Sequence, residues 1–187
     1  MIQQINVVIM VAISKNGRII GNSKTNALPG WNLTDDRIHM STLTSGHTTF
    51  MGKNTFKSFP VRYRPLPNRD NLIITRQDSY VPYPTNDDTH VCASLEDALL
   101  LAKDLAATTN KTIYCFGGGQ IYSQVLKHPM VHVTKFIITE VEGEFEGDVV
   151  FPEIDVTLFR ETSVIPYEKI EKRNSHDFTI HTYERIA

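Results

Sequence analysis

Every residue of Val7-Val-Ile-Met-Val-Ala-Ile13 is apolar, and Ile5 extends the run upstream. A strand with one wetted face alternates in polarity, so an unbroken run predicts a strand covered on both faces, as in the middle of an α/β sheet. It is far too short to span a bilayer. Further strands are predicted over Thr48 to Met51, Asn71 to Thr75, His90 to Cys92, Thr112 to Phe116 and Lys135 to Val141. Helical spacing or turn chemistry between them places helices after Thr34, over Thr55 to Phe59, from Ser94 (with Asp97 completing a capping box), and over Gln120 to Leu126. Leu158 to Ile165 and Asp177 to Glu184, with no helical pattern between them, predict an antiparallel edge pair. The expected fold is therefore α/β: a central, mostly parallel twisted sheet with an antiparallel C-terminal edge and helices on both faces. At 187 residues the chain suits one domain with a sizeable core, 1–187, rather than two.

Charge narrows the function classes. The formal net charge of −2 supplies no basic field for nucleic acid, and seven histidines lie outside any Cys/His cluster or HExxH motif, so neither nucleic acid nor metal is expected. Cys92 and Cys115 fall in predicted strands and read as buried free thiols of a reducing compartment. Residues 1–6 carry no basic leader or cleavage site, and a cytoplasmic setting is the expectation.

The informative stretch for chemistry is Leu28-Pro-Gly-Trp-Asn-Leu-Thr-Asp-Asp-Arg-Ile-His-Met-Ser-Thr-Leu43. Thr34 can start a helix, and Asp35 and Asp36 suit a first turn, where the macrodipole favours negative charge. At about 100° per residue, Leu33, Asp36, Met40 and Leu43 share one arc, with Asp35 and Arg37 on its flanks. Asp36 thus sits within an apolar stripe. Either it reaches solvent as a first-turn charge, or it is a carboxyl held in an apolar cleft, its pKa displaced upward, available for proton chemistry or for gripping a basic heterocycle. The small, polar segment from Gly21 to Gly30 just upstream is long for a compact domain and is a candidate lid.

Two strand–glycine–helix junctions follow, Met51-Gly-Lys-Asn-Thr55 and Phe116-Gly-Gly-Gly-Gln-Ile-Tyr122. Glycine admits close backbone approach, and each junction frees N–H groups for phosphate, so the pair could hold a dinucleotide pyrophosphate. Lys53 and Arg76, just past strand ends, could meet an extra ribose phosphate, and Arg69 could fork onto a carboxylate.

These segments, together with Met10-Val-Ala-Ile-Ser, Ile20-Gly21, Leu-Pro-(Gly)-Trp31, Arg64-Pro-Leu-Pro, Asn71-Leu-Ile-Ile-Thr-Arg76, Thr139 and the Glu142 to Pro152 stretch with Asp148, resemble dihydrofolate reductase, in that family's order and along nearly the whole chain. The resemblance implies NADPH-dependent reduction of 7,8-dihydrofolate to tetrahydrofolate. It places Asp36 against the pterin, Thr139 in support of that carboxylate, and Trp31 over an ordered water. It puts Met10, Val11, Ala12, Leu33, Met40, Phe59, Leu66, Arg69 and Phe116 around the substrate, Arg69 taking its glutamate α-carboxylate. It assigns the cofactor to Ala12, Ile20, Gly52, Lys53, Thr55, Thr75, Arg76, Gly117, Gly118, Gly119, Gln120, Ile121 and Tyr122, with a cis Gly117–Gly118 peptide and a lid over Ile20 to Leu28. A monomer, no membrane association and antifolate inhibitors as ligands of the same site are implied in the same way. Three features depart from the family pattern: the additional Gly30, Met40 where an aromatic is common, and Gln120 in place of a frequent basic residue. The competing readings are a pyrimidine reductase of riboflavin synthesis, which the Trp31/Asp36 pair and Arg69 disfavour, and a folate-binding protein without turnover.

Overall fold

The computed structural model describes residues 4–25 and 29–186. In chain order the elements are β1 (Ile5–Ser14), β2 (Ile19–Gly21), α1 (Thr34–Thr44), β3 (Thr48–Gly52), α2 (Lys53–Ser58), β4 (Asp70–Ile74), β5 (Thr89–Cys92), α3 (Leu95–Thr109), β6 (Ile113–Cys115), α4 (Gly119–Val125), β7 (Val131–Val141), β8 (Val149–Val150), β9 (Phe159–Tyr167) and β10 (Phe178–Arg185). The expected α/β sheet forms, in the order β5-β4-β3-β6-β1-β7-β10-β9, and β2 pairs separately with β8. No helix among the described residues is long and apolar enough to cross a membrane. The chain divides into two compact units, residues 1–8 with 44–133 and residues 9–43 with 134–187; β1 and β7 contribute to both.

In the first unit β3 pairs in parallel with β4 and β6, Phe50 facing Leu72 on one side and Cys115 on the other. Phe50, Met51, Leu72, Ile73 and Cys115 are fully enclosed, which is why these short strands read as solid apolar runs. α3 buries Leu95, Ala98, Leu99 and Ala102, the arc its spacing predicts. The Asp97 N–H donates to Ser94 Oγ at 3.1 Å, and the Ser94 hydroxyl donates to the Asp97 carboxylate at 2.7 Å. A cap of this kind stabilises a helix by about 1 kcal/mol. Both cysteines are free and buried. Loss of water pushes the Cys92 thiol up to about 11 and the Cys115 thiol up to about 12, which keeps both protonated and unreactive at neutral pH.

The second unit is antiparallel at its edge: β10 pairs with β7 and with β9, as expected from the tail. The stretch after β1 is less of a loop than its composition implies. Buried Ser14 accepts from the Ile19 N–H at 2.9 Å, and Ile19 and Gly21 pair with Val150 and Val149. A two-residue partner strand leaves no periodic signal, so β2 and β8 were invisible in the sequence. Their approach depends on Gly147, where a Cβ would stand 2.4 Å from the Gly21 carbonyl oxygen. Two boundaries also move outward. β7 begins at Val131 rather than Lys135, because only Val133 of its first five residues is buried and they form no apolar run, and α2 begins at Lys53 rather than Thr55, straight from the extended Gly52.

Candidate active site

In the second unit, α1 and β7 bring together Asp36 and Thr139. The Thr139 hydroxyl donates to Asp36 Oδ1 at 2.5 Å. Thr139 is 4 % exposed and faces Ile180 across the β7–β10 ladder, so its hydroxyl is set by the sheet. Asp36 is packed deeply enough that loss of water lifts its carboxyl above the usual carboxylate range; the Thr139 hydrogen bond and the charges of His39 and Arg37 draw it back only in part. Asp36 is half-buried, and of the two readings open in the sequence this burial favours the desolvated carboxyl. Leu33 is 2 % exposed, whereas Met40 and Leu43, on the same arc, are only half covered. The apolar stripe of α1 therefore remains partly open around the acid.

Trp31 meets the Phe145 ring edge-on at 4.7 Å, and Phe145 meets His176 at 5.0 Å. Sequence reading missed Phe145 and His176, since lone aromatics in a loop carry no periodicity. On β1, Met10 and Val11 are buried and Ala12 is partly exposed; Ile20, in β2, is buried. Asp148 holds the start of the expected lid by accepting from the Ser23 N–H at 2.7 Å and from its hydroxyl at 2.5 Å. Residues 26–28 of that lid lie outside the described residues.

The flanking acid has the opposite chemistry. Asp35 accepts from Arg173 Nε at 3.0 and 2.8 Å, also from Arg173 Nη2, and from Asn174 Nδ2 at 2.7 Å. These bonds hold its carboxyl below the usual range. Asn174 is 1 % exposed, and nothing in its sequence neighbourhood distinguishes it from a turn residue.

In the first unit the two glycine junctions meet. The Gly52 N–H donates to the Gly117 carbonyl at 2.7 Å, and the Phe116 N–H to the Phe50 carbonyl at 3.0 Å. The Gly117–Gly118 peptide is cis, as the resemblance implied. Gly117 has φ +73°, and a Cβ there would lie 2.2 Å from the buried Tyr122 ring; one on Gly118 would lie 3.1 Å from Thr55 Oγ1. Only glycine fits this turn, which leaves bare backbone beside Thr55. Gly119, Gln120, Ile121 and Tyr122 continue it into α4, with Gln120 exposed. Lys53 Nζ donates to Gln77 Oε1 at 3.0 Å, the Gln77 N–H donates to Thr75 Oγ1 at 3.2 Å, and Arg76 is exposed next to them.

The same unit contains Phe59, half-buried, and Leu66 and Phe116, both buried. A residue that sequence reading overlooked shapes this loop. Buried Asn71 accepts from the Leu66 N–H at 2.9 Å and donates to the Leu66 and Arg69 carbonyls at 2.9 and 2.8 Å. Arg69 is 4 % exposed, a fork donating from Nε to the Pro67 carbonyl and from Nη1 to Thr44 Oγ1 at 2.9 and 2.8 Å. Burial draws its pKa below the ordinary arginine value. Among the described residues no group of three or more His, Cys, Asp or Glu side chains could hold a metal ion.

The fold is that of an α/β oxidoreductase family that works with a nicotinamide cofactor. The family model for dihydrofolate reductase matches residues 6–185. Among curated proteins, a dihydrofolate reductase of Staphylococcus haemolyticus is 33 % identical over 178 residues, covering 95 % of each chain. One of Neisseria gonorrhoeae is 37 % identical over 158 residues, 84 % of this chain and 85 % of the relative. A bifunctional dihydrofolate reductase-thymidylate synthase of Glycine max is 32 % identical over 174 residues, 89 % of this chain but 32 % of that longer protein. The chain belongs to the dihydrofolate reductase family.

Proposed function

We propose that this enzyme reduces 7,8-dihydrofolate to 5,6,7,8-tetrahydrofolate with NADPH, as a single reductase domain, 1–187, acting as a monomer. The observation that carries the reading is the desolvated Asp36 carboxyl held by Thr139. When bound, NADPH supplies a hydride to C6 of dihydrofolate, and N5 takes a proton from solvent. Asp36 hydrogen-bonds the amidine-like edge of the pterin. Held out of water, its charge raises the basicity of the ring, so protonation is favoured at neutral pH. Thr139 keeps the carboxylate aimed, and Trp31 positions the water beside it. The carbonyls of Met10 and Phe116 accept from the pterin amino group, with Val11 and Ala12 alongside. Leu33, Met40, Phe59 and Leu66 take the aminobenzoyl group and Arg69 the α-carboxylate, its guanidinium already oriented by Pro67 and Thr44.

The cofactor's fit rests on the bare turn at Gly117–Gly119, where a side chain on Gly117 would strike the Tyr122 ring, with Gly52, Thr55, Gln120, Ile121 and Tyr122 around it. Ile20 and Thr75 complete its contacts. Lys53 and Arg76 meet the 2′-phosphate and set the preference for NADPH over NADH. Antifolates compete for Asp36. Two protonated, buried thiols fit a cytoplasmic enzyme. Mixing protein, NADPH and dihydrofolate tests the reading: absorbance in the nicotinamide band falls with turnover, and an unchanged trace refutes it.

A further inference from the structure

Beside Asp36 lies a clamp to which the proposed reaction gives no task. An α-helix leaves its first N–H groups without partners inside the helix. In α1 they are met from the segment between β9 and β10: the Thr34 N–H donates to the Arg173 carbonyl at 3.0 Å and the Asp35 N–H to Asn174 Oδ1 at 3.2 Å. Asn174 closes its own turn through two backbone bonds with Ile170, at 3.0 and 2.9 Å, and its amide grips the Asp35 carboxylate from 139 positions away in sequence. Arg173 adds its fork to the same carboxylate. Upstream, the Asn32 N–H donates to Ser175 Oγ at 2.8 Å and the Ser175 N–H to the Asn32 carbonyl at 2.9 Å. The turn that carries Asp36 is thus terminated by a remote loop.

We propose that Asp35, Arg173 and Asn174 are positioning residues for the Asp36 carboxyl, fixing the first turn of α1 so that this acid stays against Thr139 and out of water. The inference rests on Asp36 being the group that governs pterin protonation. Charged groups acting on Asp36 are His39 and Arg37 on its own helix; from β7 it meets the Thr139 hydroxyl. Neither Asp35 nor Arg173 is among the groups that act on it directly, so their influence runs through the position of the backbone. When the clamp is loosened, the first turn frays. Asp36 then loses the Thr139 bond, which alone raises its pKa, and gains water, which lowers it. Desolvation is the largest of the influences on this carboxyl, so the net movement is downward.

The test is the pH dependence of single-turnover hydride transfer at saturating NADPH and dihydrofolate, read alongside thermal melting. Arg173→Ala, at a half-exposed side chain, is expected to lower the midpoint by about half a pH unit or more and slow transfer at pH 7 roughly threefold to tenfold. Asn174→Ala, which changes no charge, moves the midpoint the same way, and Arg173→Lys recovers most of the loss. A lower melting temperature with the midpoint and rate of Arg173→Ala unmoved overturns the inference, whether or not Asn174→Ala folds. Asp36→Asn is the reference: a wild-type pH profile in that variant removes the reading of Asp36 itself, a separate failure.

Discussion

Two consecutive carboxylates at the start of one helix end in opposite states. Asp35 is met by a guanidinium and a buried amide and ionises more readily than a free aspartate; Asp36 is met by one hydroxyl in a dry setting and ionises less readily. Both occupy the first turn, so the macrodipole does not separate them. What separates them is what tertiary packing brings to each face. Counter-charge and two hydrogen-bonding partners make Asp35 an anchor, whereas at Asp36 desolvation outweighs the charges of His39 and Arg37, and such a carboxyl retains the reactivity that proton chemistry needs.

The difference can be broken most severely at Asp36. Asp36→Asn is expected to slow hydride transfer at pH 7 by about two to four orders of magnitude, with partial recovery in acid, measured in single turnover. The same variant should be more stable than the parent at neutral pH. A carboxyl whose folded pKa is raised costs stability once ionised, and this cost vanishes as pH falls below the pKa of the unfolded chain. Denaturant midpoints at pH 7 and pH 3 check the sign.

Thr139→Val sharpens the comparison by removing the hydrogen bond that Thr139 donates to the carboxylate. Transfer should fall roughly tenfold, and the midpoint of the pH profile should rise, because that bond favours the ionised form. The direction is opposite to that expected on loosening the clamp. Asp35→Asn should act on stability in the reverse sense from Asp36→Asn. A lowered folded pKa contributes stability above the unfolded pKa, lost as pH falls through the folded value. The melting temperature of this variant should therefore lie below the parent's at neutral pH and converge with it in strong acid. Smallest is Ser94→Ala at the cap of α3, remote in sequence from both acids: a loss of about 1 kcal/mol in urea denaturation with an unmoved pH profile.

Where the sequence carried a period, the structure follows it. β1 and β3 were legible because both faces are buried, and α3 because its arc and its Ser94 cap agree. The glycine junctions were legible individually; their hydrogen bond to each other, Gly52 to Gly117, joins segments far apart in the chain and no local pattern encodes it. Asn71 and Asn174 were passed over for a related reason. A buried amide that shapes a loop has the same local signature as an amide in any exposed turn, and only burial tells them apart. The pairing of β2 with β8 is too short to have a period at all.

Composition and spacing thus determined the α/β class, the helix that carries Asp36 and the glycine turns, because backbone preference and hydrophobic period are properties of neighbouring residues; the family was legible through the order of its motifs. The tertiary structure alone decided which of two adjacent aspartates would be neutralised and which would be left in a dry environment. The hydrogen bonds and counter-charge that distinguish the two come from Thr139, Arg173 and Asn174, more than a hundred residues away, and no distribution of residues around position 36 could announce them.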